Sequence, residues 1–495
     1  LKCVTESNYT DEKGEKMKAL TCNVSLKLFL AAVVMTFLFA TAVSLSAPGD
    51  LIRTFSDPSA SYDSSFGCAV IDVDGYVFIG ASPLFRDGVV YMFDPQDGTL
   101  IRTFNTPTPG YINNGGFGRT LANFQGNLLV GAFQEPSGLN IFDIYTGARL
   151  DAYPNTGFLG DSTPVVDGQQ ILAGAPVDRT GNRGAAYLFD GTDGTNHTTL
   201  QTYIPPVPSM HFGGAVAFVG DHVVIGASGH VDISEGNGAA FVFDRVTGIH
   251  LHTFLDPLPI RFGAFGYSIV AAGDDILIGK LNSLGIVYLY DGSTFALKRE
   301  FHDPVGGANN GFGRSMAVME DYLLIGAPAE DITGYNSGAV FLFDINTGDL
   351  LHTYLDPTPV RNGNFGTSVA FFEGNVLIGE CDTSAPITSE GIPEVHLFEG
   401  PVHDPLSLLE YLKEYILEAI ESGIIDPTME VSLIAKIDSA LAALVQGNPN
   451  NPTVAINNME ALINHIEAQT DNKISTEAAA EIISISNQII EAIAE

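Results

Sequence analysis

The chain has 495 residues, a formal net charge of −36, no Trp, and 53 Gly against only 16% charged residues. That length accommodates more than one domain, and the acidic balance excludes nucleic acid and anionic membrane surfaces as partners. It suits solubility in a saline setting, or attraction of cations and basic partners.

At the start of the chain, Lys16, Lys18 and Lys27 precede an apolar run from Leu28 to Val43, and small residues follow at Ser44, Ser46 and Ala47. This order predicts a secretory signal peptide within residues 1–47, with Met17 as the initiator and the residues before it an over-extended gene call. An uncleaved anchor is the alternative. No other stretch is long and apolar enough to span a bilayer, so the remainder is expected to be soluble and outside the cytoplasm.

From Leu51 to Gly400 a unit of about fifty residues recurs seven times. Its clearest copy reads Phe312-Gly313, then Leu323-Leu324-Ile325-Gly326-Ala327-Pro328, then Gly338-Ala339-Val340-Phe341-Leu342-Phe343-Asp344, Thr347-Gly348 and Leu350-Leu351-His352-Thr353-Tyr354. The leading Phe recurs at Phe66, Phe117, Phe212, Phe265 and Phe365, with Phe158-Leu159-Gly160 in copy three. Each copy holds four segments rich in Val, Ile, Leu, Phe and Tyr, bounded by Gly, Asp, Asn or Pro, which predicts four strands separated by turns. First and second strands should meet through tight pairs such as Gly220-Asp221, Gly273-Asp274 and Gly374-Asn375, and third and fourth through Asp-x-x-Thr-Gly. The links from second to third strand, and from fourth strand to the next copy, run longer. Antiparallel strands alternate ends, so both long links should share one face.

The segment Leu51-Ile52-Arg53-Thr54-Phe55 precedes the first Phe-Gly, whereas copy seven ends at Phe398-Glu399-Gly400 without a fourth strand. The predicted fold of residues 51–400 is therefore an all-β seven-bladed propeller of four-stranded antiparallel blades, its N-terminal strand completing the last blade and leaving no open edge. Outside the leader, the cysteines are Cys68 in blade one and Cys381 in blade seven. Ring closure would make them neighbours; a disulfide clasp and two free buried thiols both remain open at this point. Asn196-His197-Thr198 is a glycosylation sequon.

Past the linker around residues 400–403 Gly becomes sparse, and residues 404–495 take helical spacing: Leu409, Leu412, Ile416 and Ile420; Ile434, Ile437, Leu441 and Leu444; Met459, Leu462, Ile463 and Ile466; Ile482, Ile485, Ile489 and Ile493. Asp404-Pro405, Asp426-Pro427 and Asn451-Pro452 supply start signals, and Gly423 and Gly447 stop signals, so a four-helix all-α domain is expected.

The order Phe-Gly, Ile-Gly-Ala-Pro, Gly-Ala-Val-Phe-Leu-Phe-Asp resembles the FG-GAP repeat of integrin alpha-chain propellers and of secreted prokaryotic proteins. The segment from Ala443 to Pro449 with Ala455 to Met459 resembles the FIMAH domain, which implies an extracellular setting. In the integrin-type repeat, calcium sits in an Asp-rich loop between first and second strands; here that turn has shrunk, and Asp72-Val73-Asp74-Gly75 retains only two acids, too few for a cage. Calcium is therefore possible by resemblance but not carried over, and no cofactor is assigned. The run Asp-x-x-Thr-Gly-x-Leu with a following aromatic also resembles the docking repeat of pyrroloquinoline-quinone dehydrogenases. Where that family usually has Trp, this chain has Phe104, Tyr153, Phe254 and Tyr354.

No Gly-x-Ser-x-Gly elbow, His-Glu-x-x-His or phosphate-cradling loop is present, so no catalytic or metal residue is named. His252, His302 and His352 recur at or beside one fourth-strand position, as packing or solvated residues do in repeat arrays. Asp256-Pro257 and Asp356-Pro357 read as turn chemistry. The expected function is a secreted or cell-surface binding or adhesion module, with an extracellular protein or glycan ligand met by the long-link loops. Candidate contacts are Tyr111, Asn113, Arg179, Asp232, Glu235, Glu330, Asp331, Tyr335, Arg361 and Asn364. The helical domain is expected to mediate attachment or self-association. The alternative is an extracellular hydrolase or quinone-type oxidoreductase with its site at the central mouth, which convergent unpaired acids would mark.

Overall fold

The computed structural model describes residues 5–10, 16–21 and 49–494, except 60–64, 84–86, 111–115, 133–135, 155–157, 178–182, 192–197, 208–210, 230–236, 260–262, 282–284, 308–309, 382–391, 402–404, 446–450 and 471–472. Residues 1–46 and 47–495 are two separate compact units. The first contains an antiparallel hairpin of Thr5–Thr10 and Lys16–Thr21. The expected apolar leader, the sequon residues Asn196 and His197, and the expected cap residues Asp404 and Gly447 lie outside the described residues.

Seven four-stranded antiparallel sheets make up the propeller. In blade four they run Phe212–Val219, His222–Ala227, Ala239–Asp244 and His250–Leu255, hydrogen-bonded in chain order. Second and third strands carry β-branched and aromatic residues on both faces because both faces are buried between neighbouring sheets: Val223, Val224, Ile225, Phe241, Val242 and Phe243 are all buried. Fourth strands form the rim, where only the aromatic residue near the end, such as Phe254 or Tyr354, is buried.

The recurring glycines have a steric cause. The second-strand glycine of one blade lies directly against the carbonyl of the Phe-Gly glycine of the next, so a Cβ built on Gly226 would overlap Gly266 O, and one on Gly379 would overlap Gly67 O. Gly266 and Gly67 themselves take positive φ of 78° and 83°, a region that L side chains enter with strain. Where a hydroxyl stands three residues after the Phe, it donates to that same carbonyl: Ser268 Oγ to Gly313 O at 2.5 Å, Ser315 Oγ to Gly366 O at 2.7 Å, and Ser368 Oγ to Gly67 O at 2.7 Å. We expect Gly226→Ala to destabilise the propeller by about 3 kcal/mol, because two backbones must separate. Gly334→Ala, with only Ser337 Cβ near at 3.8 Å, serves as the near-neutral control in urea unfolding.

The short turns follow the expected chemistry, with one correction. Val219 pairs with His222 and Ala272 with Asp275, which leaves Gly220-Asp221 and Gly273-Asp274 as two-residue turns. In blade seven Phe372 pairs with Asn375, so the turn is Glu373-Gly374 and not Gly374-Asn375. Glu373 and Gly374 both hold positive φ, at 46° and 85°, and Asn375 is already strand. In the other short connection, Asp244 Oδ1 accepts from the amides of Val246 and Thr247 and from the Thr247 hydroxyl, and Gly248 N donates to Asp244 O.

The strand Leu51–Ser56 completes blade seven by antiparallel pairing with Glu394–Phe398, with Thr54 opposite His396 and Phe55 opposite Val395. Cys68 and Cys381 are joined by a disulfide across 313 residues, Cα–Cα 5.0 Å. The ring is thus closed by a strand, a covalent bond and the Ser368 hydroxyl.

Four helices follow, α1 Pro405–Glu421, α2 Glu430–Val445, α3 Asn451–Glu467 and α4 Thr476–Ala494, around their own apolar core. Gly423, φ 77°, ends α1 with its amide on Ile420 O. Asp426-Pro427 opens a short 3-10 turn, Pro427–Met429, leading into α2, and Asp426 Oδ1 accepts from Thr428 N. The buried stripe of α2 runs through Leu433, Ile437 and Ala440, so the expected Ile434, Leu441 and Leu444 flank it. Among the described residues no helix is long and apolar enough to cross a membrane.

Candidate functional site: the channel mouth and the long-link face

The first strands of the blades line a central channel of about 730 Å³. Its walls repeat with the sequence. Four residues after each leading Phe stand Val70, Leu121, Val216, Ile269, Met316 and Val369, with Thr163 at the same place in blade three, and all line the channel. Two residues after that Phe, at the long-link end, come Cys68, Arg119, Gly214, Tyr267, Arg314 and Thr367; in blade three, where the buried Leu159 takes the place of the Phe, the same counts give Asp161 and Thr163. Propeller symmetry converts one position of a repeat into a ring of seven residues. This ring escaped the sequence reading, although the spacing from each Phe would have exposed it.

Among the described residues the mouth ring holds one carboxylate. Asp161 Oδ1 lies 3.7 Å from Arg119 Nε. Burial raises the Asp161 carboxyl above its ordinary range, opposed by the Arg119 charge and then by His211. Arg314 adds a second guanidinium. Among the described residues the mouth therefore combines an apolar collar with one acid paired to a guanidinium.

On the same face the long links of blades six and seven interlock. Asn362 N donates to Tyr335 O at 2.9 Å, Asn364 N to Asn336 O at 3.1 Å and Phe365 N to Ser337 O at 3.1 Å. Asn336 Nδ2 donates to Asn362 Oδ1 at 2.9 Å, and Asp331 Oδ1 accepts from Asn336 N at 2.6 Å. Asn336, Asn362 and Asn364 all hold positive φ, which asparagine tolerates. These bonds build a shelf on which the Arg361 guanidinium sits 5.2 Å from the centre of the Tyr335 ring, and Tyr335 is 58% exposed.

Of the candidate contacts, Asp331, Tyr335, Arg361 and Asn364 therefore fall together on this shelf. Glu330 is buried, and its Oε2 accepts from Asn310 Nδ2 at 2.5 Å. Burial pushes its carboxyl upward, with the Asn310 bond opposing and Asp303 adding to the rise. Tyr111, Asn113, Arg179, Asp232 and Glu235 lie outside the described residues.

The short hairpins leave Asp72 Oδ1 accepting from Gly75 N at 2.9 Å, while Asp74 Oδ2 accepts from Tyr145 OH at 3.1 Å. His252 stacks on Phe295 at 4.7 Å and His352 meets Tyr354 edge-on at 4.6 Å, whereas His302 lies 3.2 Å from Glu300. Asp256 and Asp356 each accept the amide two residues on through Oδ1, at 3.0 Å from Leu258 and 2.7 Å from Thr358, as turn chemistry requires.

The profile of the FG-GAP repeat matches residues 299–343, the copy from the last strand of blade five through the third strand of blade six. Aligned over 185 positions, the chain is 25% identical to mouse (Mus musculus) integrin alpha-2, a match that covers 33% of this chain and 16% of that integrin. The crystal structure of the Myceliophteria thermophila Cps50 (Swd1) β-propeller domain superimposes on 72% of this chain and all of its own, with a TM-score of 0.49 and 15% identity. The chain is a seven-bladed β-propeller that carries an FG-GAP repeat at residues 299–343 and is similar over part of its length to an integrin alpha chain.

Proposed function

We propose that this chain is a secreted or cell-surface binding and adhesion module that holds an extracellular protein or glycan on its long-link face. The observation that carries the reading is the shelf of Tyr335 and Arg361, an exposed aromatic and a guanidinium fixed by paired long links. Tyr and Arg are the residue types that anchor interfaces, and rigid backbone beneath them reduces the entropy lost on binding. Likeness to part of an integrin alpha chain and the expected leader support an extracellular setting, and the FIMAH-like helices are assigned attachment or self-association.

The test is an array of glycans and extracellular proteins probed with the full chain and with a Tyr335→Ala/Arg361→Ala variant, each with and without calcium. We expect the variant to keep its circular dichroism and melting temperature while affinity for the captured ligand falls at least about tenfold. Calcium should leave capture unchanged. Equal capture by both chains would move the site off the shelf, and calcium-dependent capture would contradict the reading of the shortened hairpins. Light scattering of the full chain, compared with one ending at residue 400, tests self-association through the helices.

A further inference from the structure

Asp356, in the link after blade six, forms a buried cluster with Glu380 and His396 of blade seven. One potential ligand atom from each lies within 4.8 Å of the others. His396 Nε2 is 3.4 Å from Glu380 Oε1, and the residues are 4%, 3% and 0% exposed respectively. Asp356 Oδ2, Glu380 Oε1 and His396 Nε2 each lack a hydrogen-bond partner. Three buried polar atoms thus converge in one dry corner with no well-formed hydrogen bond among them, which buried groups normally avoid.

Blade five shows what this corner takes. Asp256 and Lys280 stand there where blade seven has Asp356 and Glu380, one hundred residues on, and Tyr288 stands where His396 does; in each blade the second strand reads Leu-Ile-Gly before the variable residue. Lys280 Nζ lies 2.8 Å from Asp256 Oδ2 and donates to Leu258 O at 2.5 Å, with both side chains of the ion pair 1% exposed. A positive charge is built into that corner. In blade seven the lysine is replaced by a second carboxylate and the tyrosine by an imidazole, so the three side chains supply no fixed positive charge there.

We infer that Asp356, Glu380 and His396 bind one divalent transition-metal ion of the zinc class. The donor set, one imidazole nitrogen and two carboxylate oxygens, suits zinc and its first-row neighbours, which accept three protein ligands and leave a position for water. It does not suit calcium, which takes six to eight oxygens. His396 Nδ1 is 3.0 Å from Thr54 Oγ1, a bond that orients the ring and leaves Nε2 for the metal. The ion would tie together the link after blade six, two strands of blade seven and, through Thr54, the closing strand.

The experiment uses the full chain, dialysed against a chelator and then given zinc, beside a Glu380→Lys/His396→Tyr variant that copies blade five. Metal analysis should find one more zinc per chain in the parent than in the variant. The parent should melt about 4 °C higher with zinc at a hundredfold excess over its dissociation constant, and the variant should not shift. Cobalt should give the parent a visible absorption band that the variant lacks. Equal zinc content in the two chains, or a parent with no thermal shift and no cobalt band, would overturn the site. If the double variant does not fold, His396→Gln replaces it in the same comparison.

Discussion

Phe55→Ala is expected to lower the stability of the propeller by about 3–5 kcal/mol, a large effect for a residue that precedes the first repeat. Phe55 is 1% exposed, and its ring centre is 5.3 Å from that of Phe93 in blade one, across the seam where the ring closes. Its backbone lies in the strand that covers the edge of Glu394–Phe398, so the cavity would open at the joint between the chain's two ends. The Cys68–Cys381 disulfide spans 313 residues of the same joint. Reducing it, or replacing both cysteines by serine, should cost about 2–5 kcal/mol, mainly by freeing the unfolded chain. Phe55→Ala in reducing buffer should then unfold blades seven and one first, as read by limited proteolysis and by hydrogen exchange at Val395. An unchanged urea midpoint for Phe55→Ala would mean that the strand does not belong to blade seven.

Asp256→Ala should destabilise by about 3–5 kcal/mol as well, because it leaves the Lys280 ammonium buried with only the Leu258 carbonyl for company. The Lys280→Met change strands the Asp256 carboxylate in the same way. Combining the two should recover most of the loss, since a buried ion pair replaced by apolar groups of similar volume is often neutral. Urea midpoints of the parent, the two single variants and the double variant complete the cycle. A double variant as unstable as the sum of the singles would show that the pair carries no coupling.

The architecture was legible because its signals are local. Phe-Gly, Ile-Gly-Ala and Asp-x-x-Thr-Gly each specify a turn or a close approach within a few residues, and repetition turns one blade into seven. The closing strand was legible for the same reason, as Leu51 to Phe55 is a fourth strand lacking its blade. Even so, the blade-seven turn was displaced by one residue, because Glu373 accepts a left-handed conformation that composition alone assigns to Asn375. Part of the candidate face was legible too: Asp331, Tyr335, Arg361 and Asn364 fall on one shelf. Glu330, chosen on the same grounds, is buried against Asn310, since a loop residue's exposure depends on how the links fold over one another.

What the chain alone determined is the repeat, the strand order, the face on which the long links gather and the helical stripes, all governed by interactions within about fifty residues. Only the tertiary structure decided that Cys68 meets Cys381, that Lys280 satisfies Asp256, and that Asp356, Glu380 and His396 share one dry corner. Those partners belong to different strands or opposite ends of the ring, so their distances are set by the angle between strands and by closure. No sequence spacing reports either quantity.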